Sequence, residues 1–342
     1  MPDPIQFSRR TFMLMPLALA ACKPGGSVLE LTGFTMGTTY NVVAIEGASS
    51  VSEAEVASAI QNALHAVNAS MSNWQAESEI SRFNSQRSNA AIGVSRELND
   101  VMDAAEAVHI ASEGTFDTTM GPLIELWGFG ASGAQSLPTD EAIAAAQTRS
   151  GHGNTLGVGT GTLQKRQDDA QVYLAAIGKG YGADHVGRAL EGVGITDYMV
   201  EIGGDLYASG RNPSGQPWQI GVETPNAHDR GVLDIVGVSN VGLASSGDYR
   251  NYFEQDGQRY SHVIDPTTGR PITHKTASTT VIAENAMLAD AWATAMLILG
   301  SDRGLEIAEA QDLAVLFVER DADTSELKFK MQTSSKFKAL TA

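Results

Sequence analysis

Asp290 lies in Met287-Leu288-Ala289-Asp290-Ala291-Trp292-Ala293-Thr294-Ala295-Met296, a segment apolar on nearly every side. A carboxylate in a buried helix is costly unless it is paired or bound to a metal. Thr294 follows four residues later, so carboxylate and hydroxyl share one helix face. Two hard oxygen donors suit Mg²⁺ whose shell is completed by phosphate and water. An aspartate paired with an arginine from elsewhere in the chain is the plainer explanation, and the convergence with Thr294 weighs against it. Ala176-Ile177-Gly178-Lys179-Gly180-Tyr181 enters a helix with glycines and one lysine, the makings of an anion site. Lys179 there opposes the helix dipole unless an anion neutralises it. A solvated surface lysine fits the local sequence equally well. In Tyr260-Ser261-His262-Val263-Ile264-Asp265-Pro266, a strand would place Tyr260, His262 and Ile264 on one face with Asp265 at its end. His262 could then serve as a general base, although a packing histidine satisfies the same pattern.

Glu201-Ile202-Gly203-Gly204-Asp205 follows a strand and offers bare amides to a phosphate, although a tight turn also explains two glycines. It is neither a Walker loop nor a dinucleotide fingerprint. Asp117 after Thr115-Phe116 and Asp248 after Ser246-Gly247 are further carboxylates, with capping or turn roles as alternatives.

These residues need elements to hold them. Leu29–Thr35 and Thr39–Ile45 are predicted to form a hairpin about Met36-Gly37-Thr38. Ser52 and Glu55 form a capping-box pattern ahead of Val56, Ile60, Leu64, Val67 and Met71 at helical spacing, which predicts a helix over 53–71. A second helix is expected from Ser95 to Ser112, with Val101, Ala105 and Val108 inward and Gly114 as its stop. A shorter one follows Thr139. Thr155–Leu174 reads as strands with glycine turns, and Tyr181–Leu190 as a helix. Strands are expected at Tyr198–Ile202, Gln219–Glu223, Val232–Val238, Tyr249–Glu254, Tyr260–Ile264, Thr279–Ile282 and Ala314–Val318, with an Asp256-Gly257 hairpin turn. Asn285–Leu299 is an apolar helix stopped by Gly300, and another helix begins near Ser301. Strands and helices mixed without strict βαβ alternation point to an α+β fold.

The chain has 342 residues, enough for about two domains or one large one. Its net charge of −17 argues against nucleic acid, whose phosphates demand a basic footprint. The single cysteine excludes an internal disulfide, a Cys-based zinc site and a Cys-ligated cluster. It leaves room for a metal held by oxygen. Residues 1–22 read MPDPIQFSRRTFMLMPLALAAC. Arg9 and Arg10 precede an apolar stretch too short for a bilayer span but suited to a secretory signal. The run resembles a twin-arginine export signal, and Leu19-Ala20-Ala21-Cys22 resembles a bacterial lipobox. Residues 1–21 are thus expected to be a signal peptide, and 22–30 an anchor and linker. Loss of 1–21 removes Asp3, Arg9 and Arg10 and leaves a body at −18. Lipidated Cys22 would tether that body on the periplasmic side of the cell envelope.

Several stretches together resemble the ApbE-type FAD:protein FMN transferases. They are Met36-Gly37-Thr38-Thr39-Tyr40, Glu77-Ser78-Glu79-Ile80-Ser81-Arg82-Phe83-Asn84, and Gly114-Thr115-Phe116-Asp117 through Gly121-Pro122-Leu123 to Trp127-Gly128-Phe129-Gly130. They continue with Ile177 to Tyr181, Val200 to Leu206, Ser246 to Phe253, Tyr260 to Pro266 and Ala289-Asp290-Ala291, in the family's order over nearly all of residues 31–342. The resemblance implies an α+β, two-lobed catalytic domain with FAD in the cleft. It implies Mg²⁺-dependent transfer of FMN from FAD to a Thr or Ser hydroxyl of an acceptor protein, with AMP released. By position it assigns FAD contacts to Met36, Trp74, Thr115, Phe116, Asp117, Tyr173, Lys179 and Ile264. It assigns metal ligation to Asp290, Thr294 and the main-chain carbonyl of Ala176, and the base to His262. Tyr173 stands where many relatives have an FAD-contacting aspartate, and Ala293 where some have a further metal-ligating one. An FAD pyrophosphatase and a non-catalytic FAD-binding lipoprotein are the rival readings.

Overall fold

The computed structural model describes residues 27–47, 51–130, 133, 137–226, 231–321 and 328–341. The export signal and Cys22 lie outside the described residues. Eight strands build one sheet: β1 Val28–Thr35, β2 Thr38–Ile45, β3 Asp197–Ile202, β4 Asp205–Ser209, β5 Val241–Gly247, β6 Thr276–Ala283, β7 Ala314–Arg320 and β8 Phe329–Thr333. They stand side by side in chain order, each antiparallel to its neighbour. Long insertions leave the sheet and return to it, and these carry the helices and the loops of the cleft.

Period-two alternation sorts the strand residues between two faces. In β2, Tyr40, Val42 and Ala44 pack among helices, whereas Val43 and Ile45 turn to the opposite layer. Helices α1 Glu53–Met71, α2 Arg96–Ala111, α3 Gly178–Gly192 and α4 Ala286–Ala310 lie on the side of the first face: α1, α3 and α4 pack toward the sheet, and α2 packs on α4. The hairpin Trp218–Glu223/Val232–Val238 and the C-terminal helix Ser335–Thr341 cover the second. A mixed, layered α+β architecture is therefore what the periodicities predicted.

Local chemistry explains the helix ends. Ser52 and Glu55 form the expected capping box on α1, and Ser95 caps α2. The Asn285 side chain accepts from the Leu288 amide at the start of α4. Gly300, at φ 71 and ψ 175, breaks α4 where the sequence places its stop. A left-handed residue there favours glycine. Helix α3 begins at Gly178, three residues before the expected Tyr181, so Lys179 stands in its first turn.

Two expectations need correction. Thr155–Leu174 forms strands only at Leu156–Gly159 and Thr162–Lys165. Beyond these, the Asn73 and Asn84 side chains take the backbone groups of Val172 and Leu174, replacing the bonds a strand partner would make. Nor is Tyr260–Ile264 one strand. The hairpin Tyr252–Gln255/Gln258–Ser261 ends at Ser261, and Ile264–Asp265 joins a separate ribbon with Arg270–Pro271. His262 sits at the bend between them, because its amide bonds back to the Asn251 carbonyl while Val263 accepts from the Ile272 amide. A small lobe supports this bend: Trp127 stacks on Tyr260, Phe129 packs on Phe253, and the Trp127 indole donates to the Gly269 carbonyl.

Candidate active site at the crossing of two helices

Helices α3 and α4 meet almost backbone to backbone. A methyl group at Gly180 would lie far inside van der Waals contact with the Ala286 carbonyl oxygen. This approach lets each helix close the other's N-terminus, where first-turn amides lack partners. Asp184 of α3 accepts from the amides of Ala286 and Met287 at 2.8 and 2.9 Å. Asp290 of α4 accepts from the Gly180 amide at 3.1 Å.

Lys179 stands beside the crossing. Its Nζ lies 2.9 Å from Asp205 and 3.4 Å from Asp290. Both carboxylates are 4% exposed against 28% for the lysine side chain, so the acidic groups are the more deeply buried part of the cluster. Burial alone would lower the Lys179 pKa, but the two carboxylates more than offset it and hold the lysine protonated. Burial first, then the neighbouring Asp290, holds Asp205 well above the usual carboxylate range. That rise also reflects two acidic groups facing one ammonium, a deficit of positive charge that either a proton on Asp205 or a bound cation relieves.

A cleft of about 510 Å³ opens from this cluster, within the size range of small-molecule sites. Thr115, Phe116, Asp117, Ala176, Lys179, His262, Ile264, Asp290 and Thr294 all line it, so the fold brings nine of the sequence-derived site residues together. Met36 and Trp74 line a smaller adjoining pocket of about 90 Å³ that shares Lys179. Met36 occupies a left-handed turn at φ 50, and its thioether rests on the bare backbone of Gly182. Trp74 is 75% exposed at the rim, a large aromatic with one face free. Tyr173 lines neither cavity. It packs over Gly121, and its amide donates to the Thr118 carbonyl at 2.7 Å.

Asp290, Thr294 and Ala176 all line the one cleft, and a carboxylate, a hydroxyl and a main-chain carbonyl are hard-oxygen donors of the kind that fits a divalent cation. Among the described residues no group of three or more His, Cys, Asp or Glu side chains is placed to hold a metal, so a hydroxyl and a carbonyl must complete any such set. Ala293 belongs to the hydrophobic core, and its carbonyl accepts from the Thr279 hydroxyl.

His262 Nδ1 lies 3.0 Å from the Asn251 carbonyl, an acceptor only, so Nδ1 carries the proton and Nε2 keeps its lone pair. Burial lowers the His262 pKa, and the Asn251 carbonyl and Asp248 oppose that shift in part. The imidazole is therefore neutral near pH 7. Asp117 is largely committed: Oδ1 takes the Thr119 amide and hydroxyl, and Oδ2 takes the His152 amide. Asp248 is an ion-pair partner of Arg259 and Arg320. Gly203 and Gly204 form the tight β3–β4 turn at φ 58 and 102, and they also line the cleft.

Two participants escape sequence reasoning. Asp205 is overshadowed by the glycines before it, although an aspartate opening a strand right after a turn is a candidate inward carboxylate. Ser246, whose hydroxyl lies 3.3 Å from that of Thr294, leaves no signal beyond its place in Ser246-Gly247-Asp248.

An α+β fold that gathers a lysine, a neutral imidazole and hard oxygen donors on one cleft defines an enzyme that transfers phosphate-bearing groups. The chain belongs to the ApbE family, whose model matches residues 36–317. It is 41% identical over 323 residues to the FAD:protein FMN transferase of Vibrio cholerae, covering 94% of this chain and 95% of that one. It is 35% identical over 347 residues to the Escherichia coli K12 enzyme of the same name, covering 98% and 97%. The solved flavin transferase ApbE from Vibrio cholerae superposes with a TM-score of 0.84 at 39% identity, covering 93% of this chain and all of that one. The apo flavinyl transferase ApbE of Pseudomonas stutzeri superposes at 0.83 and 33% identity, covering 93% and 98%.

Proposed function

We propose that this protein is an FAD:protein FMN transferase that moves FMN from FAD to a Thr or Ser hydroxyl of an envelope redox protein and releases AMP. The observation that carries this reading is the meeting of His262, Lys179 and Asp290 on one cleft of nucleotide size. Thr115, Phe116, Asp117, Lys179 and Ile264 hold FAD along the larger cavity, and Met36 and Trp74 take it in the adjoining pocket. Tyr173 supports the Thr115–Thr118 segment from behind.

The acceptor oxygen attacks the FMN phosphorus. The bond from that phosphorus to the bridging oxygen breaks, and AMP leaves with the bridging oxygen. The acceptor proton passes to Nε2 of His262, which the Asn251 carbonyl has left as the free acceptor. Lys179 neutralises pyrophosphate charge, and transfer of this kind depends mainly on positioning and charge. Asp290, Thr294 and the Ala176 carbonyl would hold Mg²⁺, which supplies the remaining positive charge at the pyrophosphate.

Incubation of the protein with FAD, Mg²⁺ and an acceptor domain tests the proposal. Covalent flavin fluorescence on the acceptor with one AMP released per flavin is the expected result. Free FMN and AMP would mean a pyrophosphatase, and intact bound FAD would mean storage.

The location is part of the same reading. Arg9-Arg10 and the lipobox-like Leu19-Ala20-Ala21-Cys22 support export and lipid anchoring at Cys22 on the periplasmic face. Among the described residues no helix is long and apolar enough to cross a membrane. Cys22→Ala should move the protein from the membrane to the soluble fraction, and an unchanged distribution would reject the anchor.

A further inference from the structure

We propose that Asp205 is the positioning residue of Lys179, the group that keeps its ammonium in the cleft once Asp290 is taken by a cation. The inference rests on the reading of Lys179 as an FAD contact.

Three observations carry it. Lys179 Nζ is closer to Asp205, at 2.9 Å, than to either Asp290 oxygen, both at 3.4 Å. Asp290 has other claims on it: the Gly180 amide already occupies Oδ2, and a divalent ion there would draw its remaining charge away from the lysine. Asp205 belongs to the sheet, not to the helix crossing. It is 3% exposed, opens β4 immediately after the Gly203-Gly204 turn, and pairs in register with Ile202. The strand ladder fixes the backbone that carries this carboxylate independently of what the two helices bind.

From the same position Nζ also donates to the Ala175 carbonyl, at 3.2 Å. With Asp290 taken by a dication and Asp205 removed, that neutral carbonyl would be the one contact of the three left to the ammonium, whose flexible stem would then no longer be held by a charge. Asp205 thus permits two cationic groups to share one small site. It acts through Lys179.

The test is a double-mutant cycle on FAD affinity, read by flavin fluorescence with Mg²⁺ and again with EDTA. With Mg²⁺, Lys179→Met and Asp205→Asn should each weaken FAD binding by about tenfold or more. The double variant should bind no more weakly than Lys179→Met alone. In EDTA, where Asp290 is free to hold the lysine, Asp205→Asn should cost less than about threefold. An additive cycle, wild-type affinity in Asp205→Asn, or equal losses with and without Mg²⁺ would each overturn the proposal. Wild-type affinity in Lys179→Met would overturn it together with the reading of Lys179. A loss of acceptor flavinylation with the cycle as expected would overturn the proposed function and support the role of Asp205. Unfolding midpoints check the fold, and Asp205→Ser carries the same cycle should Asp205→Asn not fold.

Discussion

Asp184 and Asp290 occupy reciprocal positions: each lies on one of two crossing helices and closes the N-terminus of the other. The arrangement needs no basic partner for Asp184, because backbone amides supply the positive ends of the bonds. It also ties the geometry of the catalytic cluster to helix packing, since Asp290 and Lys179 can meet only while the crossing holds.

Asp184→Ala should therefore do two things. It strips two first-turn amides, one buried and one half-buried, of their acceptor, which costs about 2–3 kcal/mol. It also loosens α4, so Asp290 drifts from Lys179. Denaturant unfolding measures the first effect. Transfer rates taken well below the unfolding midpoint measure the second, and a rate equal to wild type there would separate the cap from the site.

His262→Ala should abolish FMN transfer while leaving FAD binding within about threefold of wild type. Burial lowers the His262 pKa below the ordinary 6.5, so the base is free at neutral pH and is protonated only on further acidification. The acidic limb of single-turnover rates must then lie below pH 6.5. Full activity in His262→Ala, or a limb above that value, would remove His262 as the base.

Asp290→Ala should raise the Mg²⁺ concentration needed for half-maximal transfer by at least about tenfold, since it removes the one carboxylate among the proposed ligands. Calorimetric titration of Mg²⁺ into the EDTA-stripped protein gives a second readout. A superimposable titration would reject Asp290 as a ligand.

His152 is 2% exposed, neither ring nitrogen has a partner, and its ring packs edge-on against His109 at 5.0 Å. Burial lowers its pKa from 6.5 to about 4, an effect the Asp117 charge opposes. Between those values the unfolded chain binds a proton that the native protein refuses, so stability falls as pH drops from about 6.5 toward 4. This group can account for up to roughly 3 kcal/mol of the loss. Asp184, pushed up to about 6 mainly by burial, works in the opposite direction, so the comparison must be made against a variant. His152→Phe should lose less stability than wild type between about pH 7 and pH 5. Parallel losses would show that His152 does not titrate there.

The elements were legible wherever one face alone is buried or a cap is spelled out. The 53–71 helix carries its capping box and apolar stripe, and β2 carries its alternation, so neither needed a partner to be recognised. Legibility stopped where the structure draws on distant side chains. Residues 166–174 follow Asn73 and Asn84, and the bend at His262 follows Asn251, and no local window contains those partners.

The same boundary runs through the site. Residue types and short spacings already name the chemically capable groups: an aspartate and a threonine one turn apart on an apolar helix, a lysine among glycines, a histidine near a turn. The sequence also carried the motif order by which the family is known. It takes the folded chain to set Lys179 between Asp205 and Asp290, to bring the helices together at Gly180, and to leave one particular histidine nitrogen free. Chemical capacity is a property of residue type and short spacing. Charge pairing, desolvation and tautomer depend on distances between atoms far apart in the chain, as the 111-residue separation of Lys179 and Asp290 shows.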